Sequence, residues 1–231
     1  MLTKIFNFKD LEELPSAVFV SILYGNDKSY YLWNNSKSYY EKLDHALDDI
    51  IDNVDKDYLY FSFISLCSAT LEYSLNFLYA YYCYNEFSFE MYKSYLDIYT
   101  KMNFKSKLFI LPYILSKGKY VTNDHCKYFK ALCDLIKKRN GLLHNSEKMY
   151  EYDFPDIHSI IQGNNLIVPV EYSKVEFILS VEDNLINSIT KEDCISVGNA
   201  MLAFYKYIMV PYVNYGKLEE CEFILSHKSN R

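Results

Sequence analysis

Residues 58–84 read YLYFSFISLCSATLEYSLNFLYAYYCY, and this stretch decides the fold. It carries one charged side chain, Glu72, and is apolar on nearly every face of a helix. A helix that is apolar all round is buried, either inside a protein or in a membrane. Asn76 lies one turn after Glu72, serines surround both, and the preceding stretch is acidic where a membrane span has a positive flank. These features favour the central helix of a bundle over a membrane span.

Helical periodicity extends on both sides of this stretch. Upstream, apolar side chains alternate with acids at the spacing of an exposed amphipathic helix. Downstream, Asn103 marks a junction between two helical segments, Ser88 is a candidate N-cap and Gly118 closes the second segment. The predicted flanking helices cover residues 36–54, 88–115 and 122–143, with a short helix over residues 10–23 that is interrupted at Pro15.

The texture of the sequence changes after Asn145, where short β-rich runs appear between turn residues. Residues 166–172 and 175–181 predict a hairpin at about 164–181. Thr190 and Asp193 form the pattern of a capping box, which predicts a last helix over about residues 190–210 that ends before Pro211. The sequence therefore predicts one mainly all-α domain over residues 1–231, with a small β-hairpin insert near its C-terminal part.

The composition excludes several classes of protein. Half of the residues are apolar, which argues against a disordered chain. Only six Gly and five Pro occur, so connections are few and long helices are favoured over a many-stranded sandwich. The six cysteines are scattered without a C-x-x-C pair, which predicts free thiols in a reducing compartment. The N-terminal residues lack the pattern of a signal peptide, so we expect a cytoplasmic protein.

Charge separates along the chain although the net charge is −6. Residues 41–57 contain seven acids and two lysines. Residues 101–139 contain ten basic residues and two acids, a local charge of +8. A basic surface of this kind is suited to holding phosphates. The alternative is two solvated helical faces of opposite sign that only maintain solubility.

Residues 137–145, KKRNGLLHN, contain the candidate chemistry. Arg139 and Arg231 are the only arginines among 24 Lys and Arg residues. An internal arginine in a chain that otherwise uses lysine suggests a task for a planar fork, such as a contact to phosphate. His144 is the side chain of this stretch that titrates near neutral pH. The structural alternatives are an Arg139 paired with a helix end or with an acid such as Glu72, and a His144 that only stabilises a helix C-terminus.

This stretch resembles the Arg-x(4–6)-His motif of HEPN ribonucleases, in which an Arg-Asn pair is followed by His. Asn140 supplies the Asn of that pair. Three further stretches are similar to the family: Leu71-Glu72 followed by Asn76, residues 104–108 and residues 128–132. The resemblance covers about residues 36–148 and implies a HEPN-like helical bundle. The family pairs two protomers so that both motifs line one cleft, which implies a homodimer. On an ideal helix, Arg139 and His144 point about 140° apart, and a shared cleft relieves this separation.

The function that the resemblance implies is a metal-independent endoribonuclease, of the toxin or abortive-infection kind, with no cofactor and no metal. His144 would act as general acid or base, Arg139 would stabilise charge on the phosphoryl group, and Asn140 would orient the site. The candidate RNA-binding lysines are Lys130, Lys137 and Lys138. Expected partners are RNA, a second copy of the chain, and a cognate antitoxin or defence-system partner, with no membrane.

Two other functions remain open at this stage. One is a non-catalytic HEPN-like module that binds RNA or protein. The other is a small membrane-associated helical protein, which rests on residues 58–84 alone. HEPN toxins that are controlled by tyrosine modification often have a Tyr two residues after the motif His, but this chain has Ser146 there. Regulation of that kind is therefore not expected.

Overall fold

The long apolar stretch forms one continuous helix in the computed structural model of the chain. The structure describes residues 3–22, 28–52, 58–143, 160–162, 165–167 and 189–227. The described part is mainly helical, with three two-stranded antiparallel sheets. Its α-helices are α1 (Ser36–Asp52), α2 (Tyr58–Glu86), α3 (Tyr92–Lys101), α4 (Phe104–Leu115), α5 (Lys127–Leu143), α6 (Lys191–Phe204) and α7 (Val210–Tyr215).

Helix α2 occupies the centre of the bundle and packs against α1, α3, α4, α5 and α6. One side of the helix is fully buried through Cys67, Leu71 and Tyr79, whereas Ser65 and Ala69 on the opposite side of its N-terminal half are exposed. Packing in the core accounts for the apolar residues of the buried side. None of the helices that the structure describes, α2 included, combines the length and the apolar character that a bilayer crossing requires.

Helix α1 is the amphipathic helix predicted from residues 36–54, and the structure describes it as far as Asp52. Its apolar stripe of Tyr40, Leu43, Leu47 and Ile50 is buried in the common core. This spacing places all four side chains on one face of the helix.

The prediction of a short helix over residues 10–23 is wrong in the described residues. Ala17–Val20 forms strand β1, which pairs antiparallel with β2, Tyr30–Trp33. Burial alternates along β1, since Val18 and Val20 are buried while Phe19 between them is exposed. This period of two is that of a strand with one face on the core. Residues 23–27 lie outside the described part.

The predicted break near Asn103 separates α3 from α4. The Asn103 side chain accepts a hydrogen bond of 2.9 Å from the Ser106 amide and so caps α4. Gly118 follows the helix with φ of +85°, and its amide donates to the Tyr113 carbonyl at 2.8 Å, so the predicted stop is confirmed. Helix α3 begins at Tyr92, four residues after the candidate N-cap Ser88. The Ser88 carbonyl accepts hydrogen bonds from the amides of Met91 and Tyr92 in the turn before the helix.

Helix α5 begins at Lys127, five residues after the predicted start. The intervening residues contribute strand β3, Tyr120–Thr122, which pairs antiparallel with the later strand Ile224–Ser226. In the order of the sequence, a short hairpin comes after β3 and before that later strand. It consists of β4, Ile160–Gln162, and β5, Asn165–Ile167. The start of the first predicted strand, 166–172, is thus part of β5, which pairs with the preceding residues 160–162. The predicted partner strand, 175–181, falls in residues 168–188, which lie outside the described part. The strand Ile224–Ser226 is β6.

The capping box at the start of α6 is confirmed, because the Thr190 hydroxyl accepts from the Asp193 amide at 3.2 Å and the Asp193 carboxylate accepts from the Thr190 amide at 3.0 Å. The predicted end before Pro211 is wrong. A π-helical segment, Tyr205–Met209, leads into α7, which ends at Gly216 with φ of +67°. Pro211 lies in the first turn of α7, where a missing amide hydrogen costs little.

Many of the aromatic residues form the core, as expected for large amphipathic side chains. Tyr40, Tyr79 and Tyr205 are fully buried. The Tyr205 ring lies 4.7 Å from that of Tyr40 and 5.0 Å from that of Phe8, measured between centroids. All six cysteines are free thiols, as predicted.

Gly198 of α6 gives a stability test, because a Cβ at this position would lie 2.6 Å from Cδ2 of Leu47 and 3.2 Å from Cζ of Phe63. Alanine favours a helix over glycine by about 1 kcal/mol, but overpacking a core costs about 1–3 kcal/mol. We therefore expect Gly198→Ala to lower the free energy of unfolding by about 1 kcal/mol in urea denaturation.

Leu47→Ala combined with Gly198→Ala supplies the control for this prediction. The two changes should be less costly together than the sum of the single changes, because the smaller side chain makes room for the new methyl group. A Gly198→Ala variant that is more stable than the wild type would show that α6 has space at this contact.

Candidate active site

Arg139 lies in the last turn but one of α5 and continues the buried stripe of that helix. Leu132, Leu135 and Ile136, which precede it by seven, four and three residues, are all buried. Residues at these spacings share one face of a helix. The Arg139 side chain therefore lies on the face of α5 that packs in the core. It is 29% exposed, so it is at the edge of the core.

Two neighbours hold the guanidinium of Arg139. Its Nη1 donates to Oδ1 of Asn140 at 3.1 Å, and its Nη2 lies 3.7 Å from Oε2 of Glu72 on α2. The second distance is that of an ion pair, but it is too long for a hydrogen bond. The Glu72 side chain is 46% exposed, and ion pairs in such settings contribute about 1 kcal/mol or less to stability. The contact orients Arg139, and among the described residues its one hydrogen-bond partner is Asn140.

Lys107 of α4 joins the same group of side chains one turn further along α2, where Asn76 lies on the face that carries Glu72. It is 5% exposed, and its Nζ donates to Oδ1 of Asn76 at 2.9 Å. Burial lowers the pKa of Lys107, and the nearby Glu72 carboxylate opposes this shift. Glu72 therefore faces two cations, Arg139 and Lys107, which belong to different helices. A hydrogen bond of 2.8 Å from the Tyr79 hydroxyl to the Lys107 carbonyl fixes α4 against α2 at this point.

The sequence predicts none of Glu72, Asn76 and Lys107 as site residues, although all three lie in stretches with a family resemblance and Glu72 is also a candidate structural partner of Arg139. A signal for Lys107 was present. Leu108, Leu111 and Leu115 are buried on α4, and Lys107 lies on the same stripe at a distance of four residues from Leu111. A charged residue on the apolar stripe of a helix needs a buried polar partner.

His144 lies outside the described residues, immediately after the last residue of α5, Leu143. Its predicted role as general acid or base stays a prediction. Asn140, four residues earlier, is exposed and accepts the hydrogen bond from Arg139, and its predicted orienting role stays a prediction.

The three candidate RNA-binding lysines of α5 do not share one surface. Lys138 is bound to Asp193 of α6 at 3.0 Å and thereby joins the capping box to α5. Burial raises the pKa of Asp193, but hydrogen bonds from Thr190 and Lys138 outweigh it and leave the pKa below its ordinary value. Lys130 and Lys137 are exposed, and each points about 160–180° away from Arg139 around the helix axis.

The grouped side chains are suited to an anionic ligand. Arg139 offers a fork of N–H donors, and the buried Lys107 offsets the charge of the neighbouring Glu72 carboxylate. Among the described residues, no three His, Cys, Asp or Glu side chains are grouped as metal ligands. The chain matches no protein-family model, no curated protein and no solved structure. The case for a function therefore rests on the chemistry of these residues.

The lowered pKa of Lys107 gives a test of the charge coupling. Its amine should release its proton below the ordinary value of 10.5 in an NMR titration of the lysine side chains. Glu72→Gln removes the opposing attraction and should lower the pKa further. Since the unfolded chain keeps this proton to a higher pH, the contribution of Lys107 to the free energy of unfolding rises with pH between the two pKa values.

Glu86→Gln is the matched control on α2, because Glu86 pairs with Lys117 at 2.8 Å. It should leave the titration of Lys107 unchanged. A Lys107 pKa that responds equally to both substitutions would refute a specific coupling to Glu72.

Proposed function

We propose that the chain is a HEPN-like, metal-independent endoribonuclease of a cytoplasmic toxin or abortive-infection system. One observation carries the proposal. Three sequence stretches that separately resemble the family, at Glu72–Asn76, Lys107 and Arg139–Asn140, meet in one cluster through contacts of 2.9–3.7 Å. These stretches are far apart in the sequence, and their convergence is what a common site requires.

The proposed reaction is attack by the RNA's own 2′-hydroxyl on the adjacent phosphorus. The hydroxyl proton leaves to a base as the new P–O bond forms. The bond to the 5′-oxygen breaks, and that oxygen takes up a proton. The products are a 2′,3′-cyclic phosphate and a 5′-hydroxyl. In this scheme His144 transfers a proton, and the Arg139 fork stabilises the negative charge that grows on the phosphoryl oxygens.

The contact between Arg139 and Glu72 also supports a second candidate function. If Arg139 serves only to pair with Glu72, the chain is a non-catalytic HEPN-like module that binds RNA or protein. The catalytic proposal instead treats Glu72 as an orienting group. When Arg139 turns to a phosphate, Lys107 still compensates the Glu72 carboxylate, which would otherwise repel the RNA.

The proposal includes a homodimer, because a cleft shared by two copies would place Arg139 of one chain beside His144 of the other. An isologous contact of this kind brings both motifs to a two-fold axis. Sedimentation of the purified chain tests this part separately, and a monomer that cleaves RNA at full rate would exclude the shared cleft.

Arg139→Lys tests the catalytic role. It keeps the charge but removes the planar fork, so we expect cleavage of single-stranded RNA in EDTA to fall to the low level of Arg139→Ala and His144→Ala. Lys138→Arg is the matched control one residue away, where the contact to Asp193 is structural. Wild-type cleavage by Arg139→Lys would eliminate the fork from the mechanism. Intact RNA with the wild-type chain would favour the non-catalytic module.

A further inference from the structure

Helices α4 and α5 lie side by side in opposite directions. Phe109 of α4 contacts Phe129 of α5, with ring centroids 6.1 Å apart. One turn earlier in α4 and one turn later in α5, Lys105 faces Cys133. Burial raises the pKa of the Cys133 thiol, and the charge of Lys105 opposes this shift, so the two side chains are close in space. The surface along this antiparallel pairing is called the α4–α5 groove.

The groove combines basic and aromatic side chains. Lys105, Lys130 and Lys137 are exposed. Lys130 and Lys137 are seven residues apart, which places them on one side of α5 two turns from each other. In the part of the chain that the structure describes, these three lysines form no ion pair, although Asp134 lies between the two on α5. Phe109 is 52% exposed beside them.

A small apolar pocket adjoins the ring of Phe109 on α4. Met102, Ser106 and Ile110 line it together with Lys105 and Phe109. A flat exposed ring, an apolar recess and a lysine at its edge form a surface on which a planar base can stack while its phosphate meets a cation.

We propose that the groove between α4 and α5 binds single-stranded RNA, with phosphates on Lys105, Lys130 and Lys137 and a base stacked on Phe109. Charge selects this occupant, because Lys105, Lys130 and Lys137 form no ion pair within the described residues and a second copy of the same surface would be repelled. Stacking on Phe109 requires an unpaired base, so a duplex is the poorer ligand. The proposal rests on the proposed function for its choice of RNA.

The groove leads to the candidate active site. Asn140 lies three residues after Lys137 and is exposed, while its side chain accepts the hydrogen bond from Arg139. A strand that follows Lys130 and Lys137 therefore reaches Asn140 near the end of α5, while Arg139 leaves the helix on the opposite side. The lysines hold the strand outside the reacting cluster, as an extension of the substrate site.

The test measures binding separately from cleavage. Fluorescence anisotropy of a labelled oligouridine is recorded over a salt series with full-length chain carrying His144→Ala, which keeps the RNA intact. Phe109→Ala in this background should weaken binding about tenfold with little change in salt dependence, and Phe109→Trp should restore it. Lys105→Gln and Lys130→Gln should each reduce the slope of log affinity against log salt by about 0.7.

Matched controls lie away from the groove. Phe19→Ala removes a ring of similar exposure, 59%, from β1, and Lys93→Gln removes an exposed lysine from α3. Neither should change RNA affinity by more than about twofold if binding depends on the groove.

The outcomes separate this proposal from the catalytic one. If the groove variants lose binding as expected while the wild-type chain leaves RNA intact, the groove stands and the ribonuclease proposal fails. If the wild-type chain cleaves RNA while the groove variants bind like their parent, the groove proposal is overturned. It is also overturned if the groove variants change the sedimentation coefficient and leave RNA binding unaltered, because the face is then a protein contact.

Discussion

Helix α2 is covered by five other helices, and the few polar side chains on it determine where the bundle can hold chemistry. Its 29 residues contain one charge ahead of the C-terminal turn, Glu72, with Asn76 one turn further on. Asn76 is partly buried and needs a hydrogen-bond partner, whereas Glu72 is 46% exposed and forms an ion pair of modest strength. Arg139 and Lys107 supply these partners from α5 and α4. The packing of the core therefore brings the basic residues of two helices to the same place on α2.

The acidic residues of 41–57 and the basic residues of 101–139 have different roles in the structure. Part of the acidic stretch on α1 is structural: Lys4 pairs with Asp44 at 2.8 Å and Asp48 at 2.6 Å, and this fixes the N-terminal segment. On the basic side, Lys138 is likewise structural through Asp193. The lysines of the α4–α5 groove have no such partner in the described residues. This difference separates cations that stabilise the fold from cations that are free to bind a ligand.

Features that depend on local sequence could be predicted. The apolar stretch of α2, the cap at Asn103, the stop at Gly118 and the capping box at Thr190 each follow from a few neighbouring residues. Pairings between distant segments could not. Strands β3 and β6 are about a hundred residues apart in the sequence. Each is too short to show the alternation of apolar and polar residues that predicts a strand. The helix continues past Pro211 through a π-helical segment, and no residue pattern in the sequence predicts such a segment.

The candidate site divides in the same way. Arg139 and Asn140 could be found from their motif, but the contact of Arg139 with Glu72 depends on how α5 packs on α2. The grouping of Lys130, Lys137 and Lys138 as one RNA surface was drawn from their closeness in sequence. Helix geometry separates Lys138 from Lys137, since residues one apart differ by about 100° around the axis, whereas Lys130 and Lys137 stay on one side. Lys107 escaped the analysis because its partner, Asn76, is 31 residues away.

We propose that the cluster at Arg139 cleaves RNA through the 2′-hydroxyl of the substrate. Mass spectrometry of an RNA oligonucleotide cut by the wild-type chain in EDTA, beside the same oligonucleotide with one 2′-deoxy nucleotide at the cut site, tests it most directly. Because the 2′-hydroxyl is the attacking group, we expect products with a 2′,3′-cyclic phosphate and a 5′-hydroxyl, and no cut at the 2′-deoxy position. A 5′-phosphate product, or cleavage that persists at the 2′-deoxy position, would contradict it.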